Sequence, residues 1–209
     1  MTEHLDMSSE HHDLDDVKKA LRKTASQTRK KAFDLWPNAA AMITDHAAQI
    51  YNHFQPRIVA AYWPIRTEID PIPLQTKLVS LGASRGASSC LPATPAEGLP
   101  LTFHHWQEGM ALHDGPYGTK EPFSDAPILT PDLILAPLLA YDKACWRLGY
   151  GGGFYDRTLA ALEAQGKQAS VIGIAFDESE VASVPTGPYD RQLDGILTPS
   201  GLRLPQEMP

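Results

Sequence analysis

The strongest pattern along the chain is a series of short apolar runs separated by segments of helical period. Ile58-Val59-Ala60-Ala61-Tyr62-Trp63 reads as a buried strand closed by Pro64. Leu133-Ile134-Leu135-Ala136-Pro137 and Val171-Ile172-Gly173-Ile174-Ala175-Phe176 read as two more, and Gly195-Ile196-Leu197-Thr198 as a last one. Helices are expected over Val17–Phe33, Asn38–Phe54 and Leu74–Leu81, and from Tyr155 to about Gln165. The middle, from Gly82 to Pro131, is rich in Gly, Pro and Ser, with short strands expected near Ser89–Leu91, Leu101–Trp106 and Met110–Leu112. Strands apolar at every position are covered on both faces, so strand–helix alternation argues for an α/β layered fold around a mostly parallel sheet. In such sheets ligands sit at the carboxyl ends of the strands. No internal repeat interrupts this order.

Composition narrows the class. The chain has 209 residues, of which 43% are hydrophobic and 21% charged, the mix of one globular domain with a substantial core. No run of about 18 apolar residues suggests a membrane span. The polar, acidic start Met1-Thr2-Glu3-His4 reads against a secretory signal. Cys90 and Cys145 are too few for a disulfide scaffold and lack zinc-ligand spacing. A reducing cytoplasm is therefore expected. The net charge of −7 argues against a nucleic-acid binder.

Charge is unevenly spread. Residues 1–16 carry six acidic side chains and no Lys or Arg, and are expected to form a mobile tail ahead of a single domain over 17–209. His4, His11 and His12 within it read as solvated rather than as a metal tract. From Val17 to Phe33 the sign reverses, with seven basic residues and no acid. Leu21, Ala25, Thr28 and Ala32 share one helix face, and Lys18, Arg22 and Arg29 form a stripe beside it. That stripe is either a solvated surface or a docking face for a polyanion such as a nucleoside triphosphate.

The richest stretch runs from Tyr141 to Arg157. Gly149, Gly151, Gly152 and Gly153 stand between a strand and a helix, where bare backbone can turn sharply and bring its N–H groups onto an anion. The following helix points its positive end at the same place. Arg147 and Arg157 flank the cluster and favour phosphate over an empty turn. A dinucleotide fingerprint is excluded, because Phe154 stands where its third glycine belongs; a P-loop is excluded because Gly-Lys-Ser/Thr is absent. Asp156 is either a helix-dipole partner or a magnesium ligand.

Arg147-Leu148-Gly149-Tyr150-Gly151-Gly152-Gly153-Phe154-Tyr155-Asp156-Arg157 closely resembles the signature of the 5-formyltetrahydrofolate cyclo-ligases. Lys18-Lys19-Ala20-Leu21-Arg22 is similar to the family's Lys-x-x-Leu-Arg, and Tyr62 to Asp70 resembles its folate-contacting segment. Gly118-Thr119-Lys120-Glu121-Pro122 resembles its Gly-x-x-Glu-Pro turn, and Val184-Pro185, Tyr189-Asp190 and Asp194 to Thr198 its C-terminal pattern. The resemblance spans roughly residues 17–200. Phe154 replaces the usual tyrosine, Pro71 replaces a common threonine, and the segment from Gly82 to Gly115 matches loosely.

The resemblance implies a three-layer α/β/α arrangement similar to the NagB/RpiA/CoA-transferase-like fold. It implies ATP-dependent cyclisation of 5-formyltetrahydrofolate to 5,10-methenyltetrahydrofolate, with release of ADP and phosphate after phosphorylation of the formyl oxygen. Lys18, Arg22, Arg147, Leu148, Gly149, Tyr150, Gly151, Gly152, Gly153, Phe154 and Tyr155 would hold the nucleotide, with Arg147 and Tyr155 catalytic. Trp63, Glu68 and residues 151–155 would hold the folate, and Asp156 with Asp190 would hold Mg²⁺. The implied partner is a reduced folate, with no nucleic acid or membrane, for a monomer or weak dimer. Two other readings remain open: a folate- or nucleotide-binding protein without turnover, and a phosphosugar or acyl-transfer enzyme of similar fold. A helix docking on RNA or anionic lipid is disfavoured by the net acidity.

Overall fold

The computed structural model describes residues 7–205, with side chains from residue 13 onward. Its helices are α1 (Met7–Leu35), α2 (Ala39–Asp45), α3 (Ala47–Phe54), α4 (Ile72–Leu81) and α5 (Phe154–Ala164). Its strands are β1 (Ile58–Ala60), β2 (Ser88–Ala93), β3 (Thr102–His105), β4 (His113–Asp114), β5 (Lys120–Glu121) and β6 (Ile128–Leu129). They continue as β7 (Leu133–Pro137), β8 (Ala140–Tyr141), β9 (Arg147–Leu148), β10 (Ser170–Ile174), β11 (Gly195–Thr198) and β12 (Gly201–Arg203).

Eight strands form one sheet in the order β12-β11-β10-β7-β1-β2-β3-β6. The five from β11 to β2 run parallel, while β12, β3 and β6 add antiparallel edges. Period-two alternation splits the apolar strands between two layers. Val59, Leu133, Leu135, Ile172, Ile174 and Leu197 pack under α1 to α4 with Ala32, Ile43, Ile50, Leu74 and Leu78. Ala60, Ile134, Ala136, Val171 and Ile196 face the other way, onto Phe154, Tyr155, Leu159 and Leu162 of α5. The architecture is thus three-layer α/β/α around a mostly parallel sheet.

Several boundaries differ from expectation, each for a local reason. Helix α1 begins at Met7, ten residues before Val17, so the expected tail is helical from that point; residues 1–6 lie outside the described residues. The Ala-rich segment is two helices, because the His46 N–H bonds Ile43 O at 3.3 Å and its ring bonds Pro199 O at 3.3 Å. Strand β1 stops at Ala60, and the chain then leaves the sheet into a loop pinned by Tyr62 Oη on Ile69 O at 2.8 Å. No strand forms over Met110–Leu112; a turn stands there, with Met110 N on Gln107 O at 3.0 Å, and pairing resumes at His113.

The parallel strands reverse direction of growth at one place. From β1 the chain steps out to β2 and returns to β7 on the other side of β1, so β1 and β7 form the topological switch point. Side chains carried just beyond those two carboxyl ends face a crevice that the sheet cannot fill.

Candidate active site

That crevice is a cavity of about 430 Å³. Tyr62, Trp63, Ile65, Arg66 and Glu68 line it from the loop after β1, and Pro137 from the end of β7. Pro92, Thr94 and Leu101 close it beside β2 and β3, Tyr117, Thr119, Lys120 and Glu121 cover it from the β4–β5 hairpin, and Tyr150, Gly152, Phe154 and Tyr155 enter from the glycine loop. Aromatic walls that carry two carboxylates, Glu68 and Glu121, suit a flat heterocycle bearing N–H donors. Trp63 is half-buried and meets Trp106 edge-on, with ring centres 6.3 Å apart.

Glu68 is buried, accepts Ile65 N–H at 2.8 Å on Oε2, and lies 3.7 Å from the Arg29 guanidinium. Burial pushes its carboxyl above the usual range, opposed by the Ile65 amide and by Arg29. The Tyr150 and Tyr155 phenols are also pushed up, first by burial and then by Glu68. Both therefore remain donors near neutrality, so Tyr155 can polarise a substrate oxygen but cannot take a proton from it. Cys145, raised by burial to about 11, and Cys90, raised likewise, are buried thiols rather than nucleophiles.

The basic stripe of α1 faces inward, contrary to a solvated surface. Lys18 Nζ meets Asp190 Oδ2 at 2.5 Å, and Arg22 Nε donates to Gly149 O at 3.0 Å. Arg147 donates to Asp156 Oδ1 at 2.7 Å and to Arg191 O at 2.9 Å, while Arg191 N–H returns to Asp156 Oδ1 at 3.2 Å. These contacts knit α1, the glycine loop, the start of α5 and the turn 187–191 into one cationic wall. Gly151 has φ 102°, and a Cβ there would stand 3.2 Å from the Arg22 guanidinium carbon, so the bare backbone admits that cation. Gly153, with φ 65°, opens α5 without a side-chain cap. The first-turn amides are left for an anion.

Of the residues singled out from sequence, Trp63, Glu68, Tyr150, Gly152, Phe154 and Tyr155 line the cavity. Lys18, Arg22, Arg147, Gly149, Asp156 and Asp190 stand in the adjoining cationic wall. Leu148 is core, packed with Ala25 and Leu139. Arg157 turns back on its own loop, donating to Gly152 O at 2.7 Å. Asp194 and Thr198 serve the fold: Asp194 accepts Val171 N–H at 2.7 Å and Thr198 donates to Asp177 at 2.7 Å.

Helical spacing shows Arg29 only as one member of a charged stripe, but it is 3% exposed and central. It donates to Thr67 Oγ1 at 3.2 Å, Leu138 O at 3.3 Å and Tyr150 Oη, tying α1 to the ends of β1 and β7 and to the glycine loop. Its position four residues after Ala25 and three before Ala32 places it inside the buried stripe, a signal that periodicity carried. Tyr62, Arg66, Tyr117 and the buried Glu121 also line the cavity, and no sequence signal marks any of them individually.

For a magnesium ion the donor set is sparse. Among the described residues no three His, Cys, Asp or Glu converge as a metal cage. Asp156 and Asp190 each hold a cation through one oxygen, Oδ1 and Oδ2 respectively. This fits Mg²⁺ held by one or two carboxylates, with phosphate and water completing its shell.

The sequence model of the 5-formyltetrahydrofolate cyclo-ligase family matches residues 14–199. The 5-formyltetrahydrofolate cyclo-ligase of Mycolicibacterium smegmatis is 34% identical over 153 residues, covering 68% of this chain and 74% of that one. The enzyme of the same name from Haemophilus influenzae is 30% identical over 164 residues, covering 76% and 84%. The fold is shared with the Aquifex aeolicus 5,10-methenyltetrahydrofolate synthetase, at a TM-score of 0.67 and 22% identity, over 92% of this chain and 95% of that one. The Mycoplasma pneumoniae 5,10-methenyltetrahydrofolate synthetase gives 0.65 at 22% identity, over 87% and 98%. With its sequence matched from before the basic stripe to beyond the last parallel strand, the chain belongs to the 5-formyltetrahydrofolate cyclo-ligase family.

Proposed function

We propose that the chain closes the imidazolinium ring of a reduced folate, converting 5-formyltetrahydrofolate and ATP to 5,10-methenyltetrahydrofolate, ADP and phosphate. The observation that carries this reading is the junction of two compartments. An aromatic, acid-bearing cavity opens directly onto a glycine loop backed by Lys18, Arg22 and Arg147, with Tyr150, Gly152, Phe154 and Tyr155 of that segment lining the cavity.

The chemistry needs that junction. Ring closure removes the formyl oxygen, and hydroxide is a poor leaving group. Transfer of the γ-phosphoryl group to that oxygen lets it depart as phosphate, and such transfer depends on positioning and charge neutralisation. In this reading the amides of Gly151 to Gly153 and the guanidinium groups of Arg22 and Arg147 hold the triphosphate. Arg147 spends two of its donors on Asp156 and Arg191, leaving others for phosphate oxygens. Trp63 and Tyr155 pack on the pteridine, Glu68 accepts its N–H groups, and the Tyr155 hydroxyl donates toward the formyl oxygen. Asp156 and Asp190 would hold Mg²⁺, which would supply further neutralisation of the phosphates.

The same proposal takes the protein as a monomer or weak dimer acting in the cytoplasm on a small molecule. Among the described residues no helix is long and apolar enough to cross a membrane. The test is spectrophotometric. Purified protein with ATP, Mg²⁺ and 5-formyltetrahydrofolate should develop the near-ultraviolet absorbance of the methenyl product; a flat trace across pH and salt would reject the assignment. ADP release without folate would point instead to a different phosphate chemistry, and tight binding without product to a non-catalytic protein.

A further inference from the structure

Two carboxylates line the cavity, and their surroundings differ. Glu68 has the Arg29 cation beside it at 3.7 Å. Glu121, only 5% exposed, forms no ion pair among the described residues. The neighbouring Lys120 is committed to Asp114 at 2.5 Å. One Glu121 oxygen, Oε1, accepts Thr94 N–H at 3.1 Å and lies 3.3 Å from Thr119 Oγ1, whose proton goes to Pro116 O at 2.8 Å. A Cβ on Gly115 would stand 2.5 Å from that oxygen, so bare backbone is needed to let the carboxylate sit there. The other oxygen accepts no hydrogen bond from the described residues. Among those residues, the fully enclosed side-chain oxygens without a partner are the hydroxyls of Tyr141 and Ser179, so this one keeps some exposure, on a residue that lines the cavity. A buried carboxylate without a cation is costly, and is kept where it meets charge or protons brought by a ligand.

The proposed reaction brings both. After phosphorylation the formyl carbon is bonded to N5 as a cationic iminium. The N10 lone pair attacks that carbon, the N10–H proton must leave, and the C–O bond breaks with its electron pair departing on phosphate. The product is the methenyl cation, so one proton has to be received within a cavity that gains positive charge. Phenols are poor acceptors near neutrality, and burial pushes those of Tyr62, Tyr150 and Tyr155 further up. Arg66 and Lys120 are cations, and His113, opposite Glu121 in the β4–β5 ladder, does not line the cavity. Glu68 is held by Arg29 and the Ile65 amide.

Resting on the proposed cyclisation, we propose that Glu121 is the proton acceptor of ring closure, its free oxygen taking the N10 proton and its charge facing the forming methenyl cation. Proton acceptors in such positions contribute roughly 10²–10⁴-fold to rate. The test is Glu121→Gln, which keeps the acceptor for the Thr94 N–H but removes the charge, measured beside wild type and Glu121→Asp. Expected are a kcat loss of about 10²-fold or more with the folate KM within roughly threefold, disappearance of the acid limb of the kcat–pH profile in Glu121→Gln, and its retention at lower kcat in Glu121→Asp. If Glu121→Gln does not fold, the Glu121→Asp profile still decides, since loss of its acid limb overturns the role. An active wild type with Glu121→Gln of equal kcat, or with a raised KM alone, overturns the role of Glu121 while leaving the cyclisation intact. A wild type that forms no methenyl product overturns both.

Discussion

Replacing Arg29 by Met removes a cation that α1 buries between Glu68 and the glycine loop. The guanidinium and its Glu68 partner have side chains each 4% exposed, so water neither screens the pair nor replaces it after the change. Three acceptors lose a donor, namely Thr67 Oγ1, Leu138 O and the Tyr150 hydroxyl, and Glu68 is left charged in a buried place. Removing one partner of such a buried pair costs about 3–5 kcal/mol. For a chain of this size that is a fall in Tm of roughly 6–20 °C.

The cost should depend on pH in a fixed direction. Burial already raises the Glu68 carboxyl, and Arg29 opposes that rise. Without Arg29 the folded-state value climbs further above the unfolded one, so the folded state holds the proton more tightly. Stability is then highest below the unfolded value and falls as pH rises through the folded one. Urea unfolding followed by circular dichroism should show a larger loss at pH 8 than at pH 5, and Glu68→Gln added to Arg29→Met should recover part of it. A loss under about 1 kcal/mol, the worth of one ordinary hydrogen bond, or a greater loss at the lower pH, would refute this account of the network.

Arg147→Ala should weaken ATP use by about 1–3 kcal/mol, the scale of one charge-assisted contact; unchanged kcat and ATP KM would remove it from the site. Gly153→Ala places a side chain at φ 65°, so unfolding titrations should show a loss of about 1–2 kcal/mol, with a raised ATP KM as the α5 amides shift. Chelation of divalent ions should abolish turnover and Mg²⁺ restore it, and Asp156→Asn should raise the Mg²⁺ concentration needed for half-maximal rate.

What could be read from the sequence depended on whether the signal was local. Leu133–Pro137 and Gly195–Thr198 are expected with their observed boundaries, because strands covered on both faces read as short runs almost without polar residues. The two-residue strands β4, β5, β6, β8 and β9 carry no such pattern, and form only because a neighbouring segment arrives to pair with them. The glycine loop was legible because its backbone demands glycine, as φ values of 102° at Gly151 and 65° at Gly153 show. The inward aim of Lys18 and Arg22 was legible only as an alternative, since helical spacing gives a face and not what that face meets. Arg29 and Glu121 acquire their meaning from burial and from partners distant along the chain, such as Leu138 for Arg29.

The most direct test of the central claim is a crystal structure of the protein soaked with a non-hydrolysable ATP analogue, Mg²⁺ and 5-formyltetrahydrofolate. The triphosphate should lie against the amides of Gly151 to Gly153 and the guanidinium of Arg147, with the pteridine in the cavity between Trp63 and Tyr155. A nucleotide lodged elsewhere, with the glycine loop empty, would contradict it.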